Sequence, residues 1–163
     1  VAVNSAGRTF DPQTGDFYAR SLELAGEFSF LRRPEGARGA ADSGYEELLP
    51  DSGSRVGGNT TIGVVATNAA LSKAQARKLA GVAHNGMASA IRPAHTVFDG
   101  DTIFAMATCE QELSGPAEEA RLGAVAADVF ARAVMHAMLA ARSVAGLQSY
   151  RDLYPHLLEE EVR

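Results

Sequence analysis

The run Gly57-Gly58-Asn59-Thr60-Thr61-Ile62-Gly63-Val64-Val65-Ala66-Thr67-Asn68 restricts this chain more than any other stretch. Its β-branched core predicts a strand over 61–67, and the weak alternation there predicts that both faces are covered. Two glycines just before it allow a strained backbone, and Asn59-Thr60 sets a hydroxyl at the mouth of the buried strand. A threonine hydroxyl is a poor nucleophile unless a base stands beside it. Its own α-amine becomes that base if the chain is cut just before it. On this reading Asn59-Thr60 is a self-cleavage site and Thr60 a new N-terminus carrying nucleophile and base. The plain alternative is turn chemistry feeding a strand in which threonine is simply favoured. Thr61 points to the opposite strand face and reads as structural.

Elements around this run follow from local pattern. Val1 to Asn4 reads as a strand end, and Phe10-Asp11-Pro12-Gln13-Thr14-Gly15 as a turn. The region from Phe17 to Phe30 is mixed and gives no clear element. Residues 32–58, rich in glycine and charge, read as an exposed linker that would let a new terminus retract. Ser72-Lys73-Ala74-Gln75 is a capping-box pattern opening a helix that buries Ala76, Leu79, Ala80, Ala83 and Met87. Gly100 marks a turn, and Thr102 to Thr108 a second buried strand. Ser114-Gly115-Pro116 starts the longest helix, with Glu118 and Glu119 complementing its dipole. Its expected stripe is Leu122, Val125, Val129, Ala133, Ala137 and Ala141, with Gly146 as terminator. Tyr150 to Arg163 reads as a polar tail.

Composition narrows the function classes. At 46% apolar and 21% charged residues the chain is ordinary for a globular domain of its length. A net charge of −5 argues against nucleic acid, which needs clustered Lys and Arg. Arg32, Arg33 and Arg38 do cluster, but among Gly, Pro and acidic residues, as a solvated loop would. One cysteine, Cys109, rules out an internal disulfide and fits a reducing compartment, so a cytoplasmic location is expected. The longest apolar stretch, 122–145, is broken by Asp128, Arg132, His136 and Arg142, so no membrane span is expected. Val1-Ala2-Val3 opens in mid-strand, which suggests sequence upstream and a C-terminal part of a longer precursor.

Few residues outside Thr60 can carry chemistry. Asp99 and Asp101 flank Gly100, and the bland reading is a turn with two solvated carboxylates. A calcium loop fails, because Ile103 occupies the next ligand position and no Glu closes the pattern. Asn4, at a strand end, is either a turn starter or a side-chain donor to an oxyanion. His84, His95, His136 and His156 show no metal-ligand spacing, and a lone cysteine cannot build a thiolate site, so neither metal nor cofactor is expected. His95 reads as shaping a turn, His136 as packed or solvated, and Cys109 as an inert core thiol.

Three spaced motifs carry a resemblance. Asn59 to Thr67, Ile91-Arg92-Pro93-Ala94-His95-Thr96 and Asp99-Gly100-Asp101-Thr102 occur in the order found in the DmpA/NylC family of self-processing hydrolases. That family includes aminopeptidases and nylon-oligomer hydrolases. Val1-Ala2-Val3-Asn4 resembles its strand ending in a catalytic asparagine. The sequence departs at His84-Asn85-Gly86, where His-Asp-Gly is expected, and at Cys109, where glycine is common. Neither is a proposed catalytic position, so both bear on substrate choice more than on activity.

The resemblance implies an α/β fold of the N-terminal-nucleophile kind, a layered α-β-β-α sandwich with central sheets flanked by helices. Residues 1–59 would end the first segment and residues 60–163 form the second, beginning at the nucleophile. It makes Thr60, Asn4, Asp99 and Asp101 the catalytic set, with both aspartates beside the Thr60 amine, whose charged form a carboxylate favours. The implied reaction is hydrolysis of a small peptide or amide at its amino terminus through an acyl-enzyme. Implied partners are the chain's own upstream segment and further copies in a tetramer. Two other readings stay open at this point: an acyltransferase of the ornithine acetyltransferase type, and a non-catalytic, unprocessed scaffold.

Overall fold

The computed structural model describes residues 1–32 and 58–158. The linker expected over 32–58 therefore lies, but for its ends, outside the described residues, as do Arg33 and Arg38. Three strands form one sheet in the order β1-β2-β3: β1 (Ala2–Asn4), β2 (Thr60–Ala69) and β3 (Thr102–Gln111). β1 runs antiparallel to β2, with Ala2 opposite Ile62 and Asn4 opposite Thr60. β3 is parallel to β2, from Ile62 opposite Thr102 to Thr67 opposite Ala107, after which the register shifts. A parallel neighbour needs a crossover, and α1 (Lys73–Ala90) supplies it.

The capping box forms as expected. Ser72 Oγ accepts the Gln75 N–H at 3.3 Å, and Gln75 Oε1 accepts the Ser72 N–H at 3.0 Å. The Gln75 side-chain amide also donates to Glu119 of α2 (Pro116–Ala140) at 2.9 Å, tying the two helices together at their starts. α1 buries Leu79, Ala83, Gly86, Met87 and Ala90. Ala76 and Ala80, expected inside, are half-buried. A Cβ on Gly86 would lie 1.9 Å from the Ala127 carbonyl oxygen, so the glycine is what lets the helices approach this closely.

α2 departs from expectation in two ways. It buries Gly123, Ala126, Phe130, Ala131, Val134, Met135 and Leu139, while Val125 and Val129 are exposed. Val125 and Val129 lie beside Arg121, Asp128, Arg132 and His136 on the polar side of this alanine-rich helix. Contact with the sheet falls on the buried side: Phe130 fills the space that Gly63 leaves on β2, where a Cβ would meet the ring at 2.3 Å. The helix also stops at Ala140 rather than at Gly146, giving 25 residues and roughly 37 Å. By length and composition it could pass for a membrane span, yet it packs here as a core helix on the sheet and α1.

Only one sheet face is covered among the described residues. Thr61, Gly63, Val65 and Ile103 are buried toward the helices, while Ile62, Val64, Phe104 and Met106 are exposed on alternate positions. The expectation of cover on both faces is thus not met within the described chain. The tail also differs from its reading. Tyr150 is buried in α3 (Tyr150–Leu153), donates to the Gly15 carbonyl at 2.8 Å, and stacks near Phe17 with ring centroids 4.3 Å apart. Phe17, Ala19, Phe28 and Leu31, from the region that gave no clear element, join the core through irregular backbone and a 3-10 turn at Arg20–Leu22.

Candidate active site

One end of the sheet gathers the residues singled out from sequence. The β1–β2 ladder sets Asn4 directly opposite Thr60. Just before β2, Asn59 pairs in parallel fashion with Asp99, which leads into β3. The Asn59 N–H donates to the Phe98 carbonyl at 3.1 Å, and the Gly100 N–H donates to the Asn59 carbonyl at 2.8 Å. A Cβ on Gly100 would come within 3.3 Å of Thr60 Oγ1 and 3.8 Å of the Asn59 carbonyl oxygen. The small residue therefore leaves the peptide bond between 59 and 60 and the Thr60 hydroxyl room on that side.

The two aspartates are anchored differently. Asp99 Oδ1 accepts the Ala6 N–H at 2.9 Å; its Oδ2 accepts the Thr96 N–H at 3.1 Å and the Thr96 hydroxyl at 2.5 Å. It thereby fastens the segment after β1 to the turn before β3. Asp101 Oδ1 accepts the Thr61 N–H at 2.8 Å, one residue beyond Thr60. Its Oδ2 accepts the His95 N–H at 3.2 Å and lies 2.7 Å from His95 Nδ1. The Asp101 side chain is only 5% exposed, so these partners are what make its charge tolerable there.

The supporting turn is itself locked. Arg8 and Arg92 exchange backbone hydrogen bonds at 2.9 and 2.8 Å, and a Cβ on Gly7 would sit 2.0 Å from the Pro93 carbonyl oxygen. His95 adopts φ 58°, confirming its place in a turn, and its ring reaches further than that reading implied. Its Nε2 lies 3.2 Å from His84 Nδ1. Burial, reinforced by His95 and opposed by Asp101, holds the His84 imidazole below its ordinary 6.5. Neither histidine stood out from sequence spacing, because one is mid-helix and the other lies across a turn. A cue was present in principle: both fall within or beside the motifs that carry the resemblance.

Other expectations resolve here. Thr61 is fully buried with its hydroxyl unpartnered, as befits the structural member of the Thr-Thr pair. Cys109 is not a core thiol but exposed, with φ 60° where the β2–β3 register shifts. That backbone explains why glycine would suit the position. His136 lies 2.8 Å from Glu27 and stacks near Phe28 with ring centroids 4.7 Å apart. Among the described residues no group of three His, Cys, Asp or Glu is arranged to hold a metal ion. An apolar groove of about 430 Å³, lined by Leu71, Leu79, Val82, Pro116 and Leu122, runs between α1 and α2 and includes none of the site residues.

The end of the sheet thus sets a strand-end hydroxyl opposite an asparagine, with a hydrogen-bonded carboxylate behind the next residue. Residues 1–151 match the model of peptidase family S58, and the chain belongs to that family. It is 44% identical over 166 residues to an uncharacterized aminopeptidase of Mycobacterium tuberculosis, covering 95% of this chain and 47% of the relative. An uncharacterized aminopeptidase of Mycobacterium leprae is 41% identical, covering 95% of this chain and 43% of the relative. A 6-aminohexanoate-oligomer endohydrolase of Paenarthrobacter ureafaciens is 37% identical over 89 residues, covering 49% of this chain and 25% of the relative. The chain thus spans about half the length of the aminopeptidases it matches.

Proposed function

We propose that this chain carries the self-processing threonine centre of a hydrolase acting on peptide or linear amide bonds. The observation that carries the reading is the position of Gly100, which donates to the Asn59 carbonyl and borders the Thr60 hydroxyl. In processing, Thr60 Oγ attacks the Asn59 carbonyl carbon and the Gly100 N–H stabilises the charge growing on its oxygen. The bond to the Thr60 nitrogen breaks as that nitrogen takes the proton, leaving Asn59 esterified to Thr60. Water then hydrolyses the ester, freeing the Asn59 carboxylate and the Thr60 hydroxyl beside the amine already released by the shift.

The mature Thr60 repeats this chemistry on a substrate. Its amine takes the hydroxyl proton as Oγ attacks the amide carbonyl, then delivers it to the leaving amine. Asn4, opposite Thr60, donates its side-chain N–H to the oxyanion. Asp101 lends negative charge close to the amine as it becomes positive, and water releases the acyl group. The names of the relatives, aminopeptidase and amide-oligomer endohydrolase, support an amide substrate.

The exposed face of Ile62, Val64, Phe104 and Met106 supports a layered α-β-β-α sandwich whose second sheet comes from outside the described residues. Assembly of complete subunits into a homo-tetramer belongs to the same reading. Light scattering of the complete protein tests it, and a monomeric mass at micromolar concentration would rule it out.

Intact mass and N-terminal sequencing of the purified complete protein test the central claim. The expected cut lies between Asn59 and Thr60, is abolished in Thr60→Ala and persists in part in Thr60→Ser. Full cleavage of Thr60→Ala would sink the reading.

A further inference from the structure

The carboxylate behind the nucleophile is the inner end of a chain of three titratable groups. Asp101 comes from the entrance to β3, His95 from the preceding turn and His84 from the middle of α1. His95 Nδ1 lies 2.7 Å from Asp101 Oδ2, and its Nε2 lies 3.2 Å from His84 Nδ1. The string passes from a carboxylate 5% exposed to an imidazole 41% exposed. The exposed ring is the middle one, His95, and His84 behind it is half-buried.

Hydrogen-bond chemistry orders the protons. An ionised carboxylate only accepts, so His95 Nδ1 carries a hydrogen and its Nε2, when neutral, accepts from His84 Nδ1–H. His84 Nε2 is then the remaining basic atom. A proton taken up there can be matched by transfer of the Nδ1 hydrogen to His95 Nε2, which places an imidazolium against Asp101. A second proton would set two cations side by side and is opposed by their repulsion.

We propose that His84 and His95 form a positioning pair that shares one proton and thereby controls how much uncompensated negative charge Asp101 presents to the Thr60 amine. With the pair neutral, Asp101 keeps its full charge to stabilise the amine as it becomes an ammonium. With the pair protonated, the imidazolium neutralises that charge and turnover falls. The charged or titratable groups acting on His84 are His95 and Asp101, and burial, the larger influence, lowers its pKa from 6.5. A turn-shaping role for His95 explains its backbone angle but not the contact of its Nε2 with a second imidazole.

The inference rests on Thr60 as nucleophile, so its test keeps the two apart. In the complete protein, hydrolysis of an amino-acid p-nitroanilide is followed from about pH 4.5 to 9 for wild type, His84→Gln, His95→Asn and Thr60→Ala. Asparagine tolerates the left-handed backbone and can still donate to Asp101, so His95→Asn preserves the turn while removing the ring. The expected result is an acid-side fall in kcat/KM for wild type whose midpoint moves by about half a pH unit or more in His84→Gln. At pH 8, where the pair is neutral, His95→Asn should keep kcat and KM within about twofold of wild type while its acid-side fall moves or flattens.

A second readout does not need turnover. Imidazole NMR of Thr60→Ala should show the two rings taking up one proton between about pH 8 and 5, and Asp101→Asn should shift that uptake. Two independent single-proton titrations, or an acid limb unmoved in both histidine variants, would overturn the proposal. Retained hydrolysis by Thr60→Ala would instead overturn the nucleophile.

Discussion

The backbone N–H of Gly100 donates to the carbonyl of Asn59 at 2.8 Å, and the same residue offers the Thr60 hydroxyl a side without a Cβ. One glycine therefore serves both the atom that would be attacked and the atom that would attack. It does so without a positive φ, so alanine meets no backbone penalty there and any effect must come from contact. Gly100→Ala should slow cleavage between Asn59 and Thr60 about tenfold, a change of about 1.4 kcal/mol in barrier, with little loss of stability. Gel-monitored processing beside a thermal melt checks this. A wild-type cleavage rate would mean that the 3.3 Å approach relaxes freely.

The adjacent threonines should separate cleanly. Thr61 is buried with an unpartnered hydroxyl, so Thr61→Val removes a polar group that gains nothing from its surroundings. It should leave processing intact and keep or raise stability, by up to about 1 kcal/mol in a denaturant titration. Thr60→Val has the same shape change one residue earlier and should abolish cleavage. Equal processing in the two variants would contradict the assignment.

Asp99 and Asp101 should differ in kind. Asp99 holds three donors from two segments, and its replacement by asparagine turns one acceptor into a donor facing a donor. Asp99→Asn should cost about 1–3 kcal/mol of stability as well as activity. Asp101→Asn can still accept the Thr61 N–H and sets a donor only against the long His95 N–H contact of 3.2 Å, so it should lose more in turnover, about tenfold or more, than in stability. Melts and steady-state kinetics on both variants check the split. Asp101→Asn with wild-type kcat would return that residue to a plain turn.

Acid stability should depend on Glu27. Its carboxylate binds the Arg132 guanidinium and lies 2.8 Å from His136, and chiefly the Arg132 hydrogen bond lowers its pKa from 4.5 to about 2. A depressed acid contributes stability above its unfolded pKa and loses it as pH falls through the folded one. The contribution should therefore be complete above about pH 4.5 and gone near pH 2. Solvent screening at this surface-near pair limits it to about 1 kcal/mol. Glu27→Gln should flatten the stability profile between those pH values, and an unchanged acid limb would count against the pair.

The amino-acid sequence by itself determined the local grammar of this protein. Ser72 and Gln75 cap α1, Pro116 and the glutamates after it open α2, and the β-branched run after Asn59 forms β2, because each depends on neighbours a few residues away. The motif order also marked Thr60, Asn4, Asp99 and Asp101, and these do meet at one end of the sheet.

Tertiary structure decided the rest. Which apolar residues of α2 are buried was not read from its alanine-rich stripe, and the fit of Phe130 into the space at Gly63 is a tertiary contact. Tyr150 read as the start of a polar tail because its partners Phe17 and Gly15 lie more than a hundred residues away. Cys109 looked like a core thiol until the register shift gave it a left-handed backbone at the surface. The link from Asp101 through His95 to His84 needs a helix, a turn and a strand to converge, and no spacing along the chain encodes a distance of 3.2 Å between rings. Local patterns record propensities, whereas the contacts that hold Asp99 and Asp101 span 93 and 40 residues and exist only once the sheet has closed.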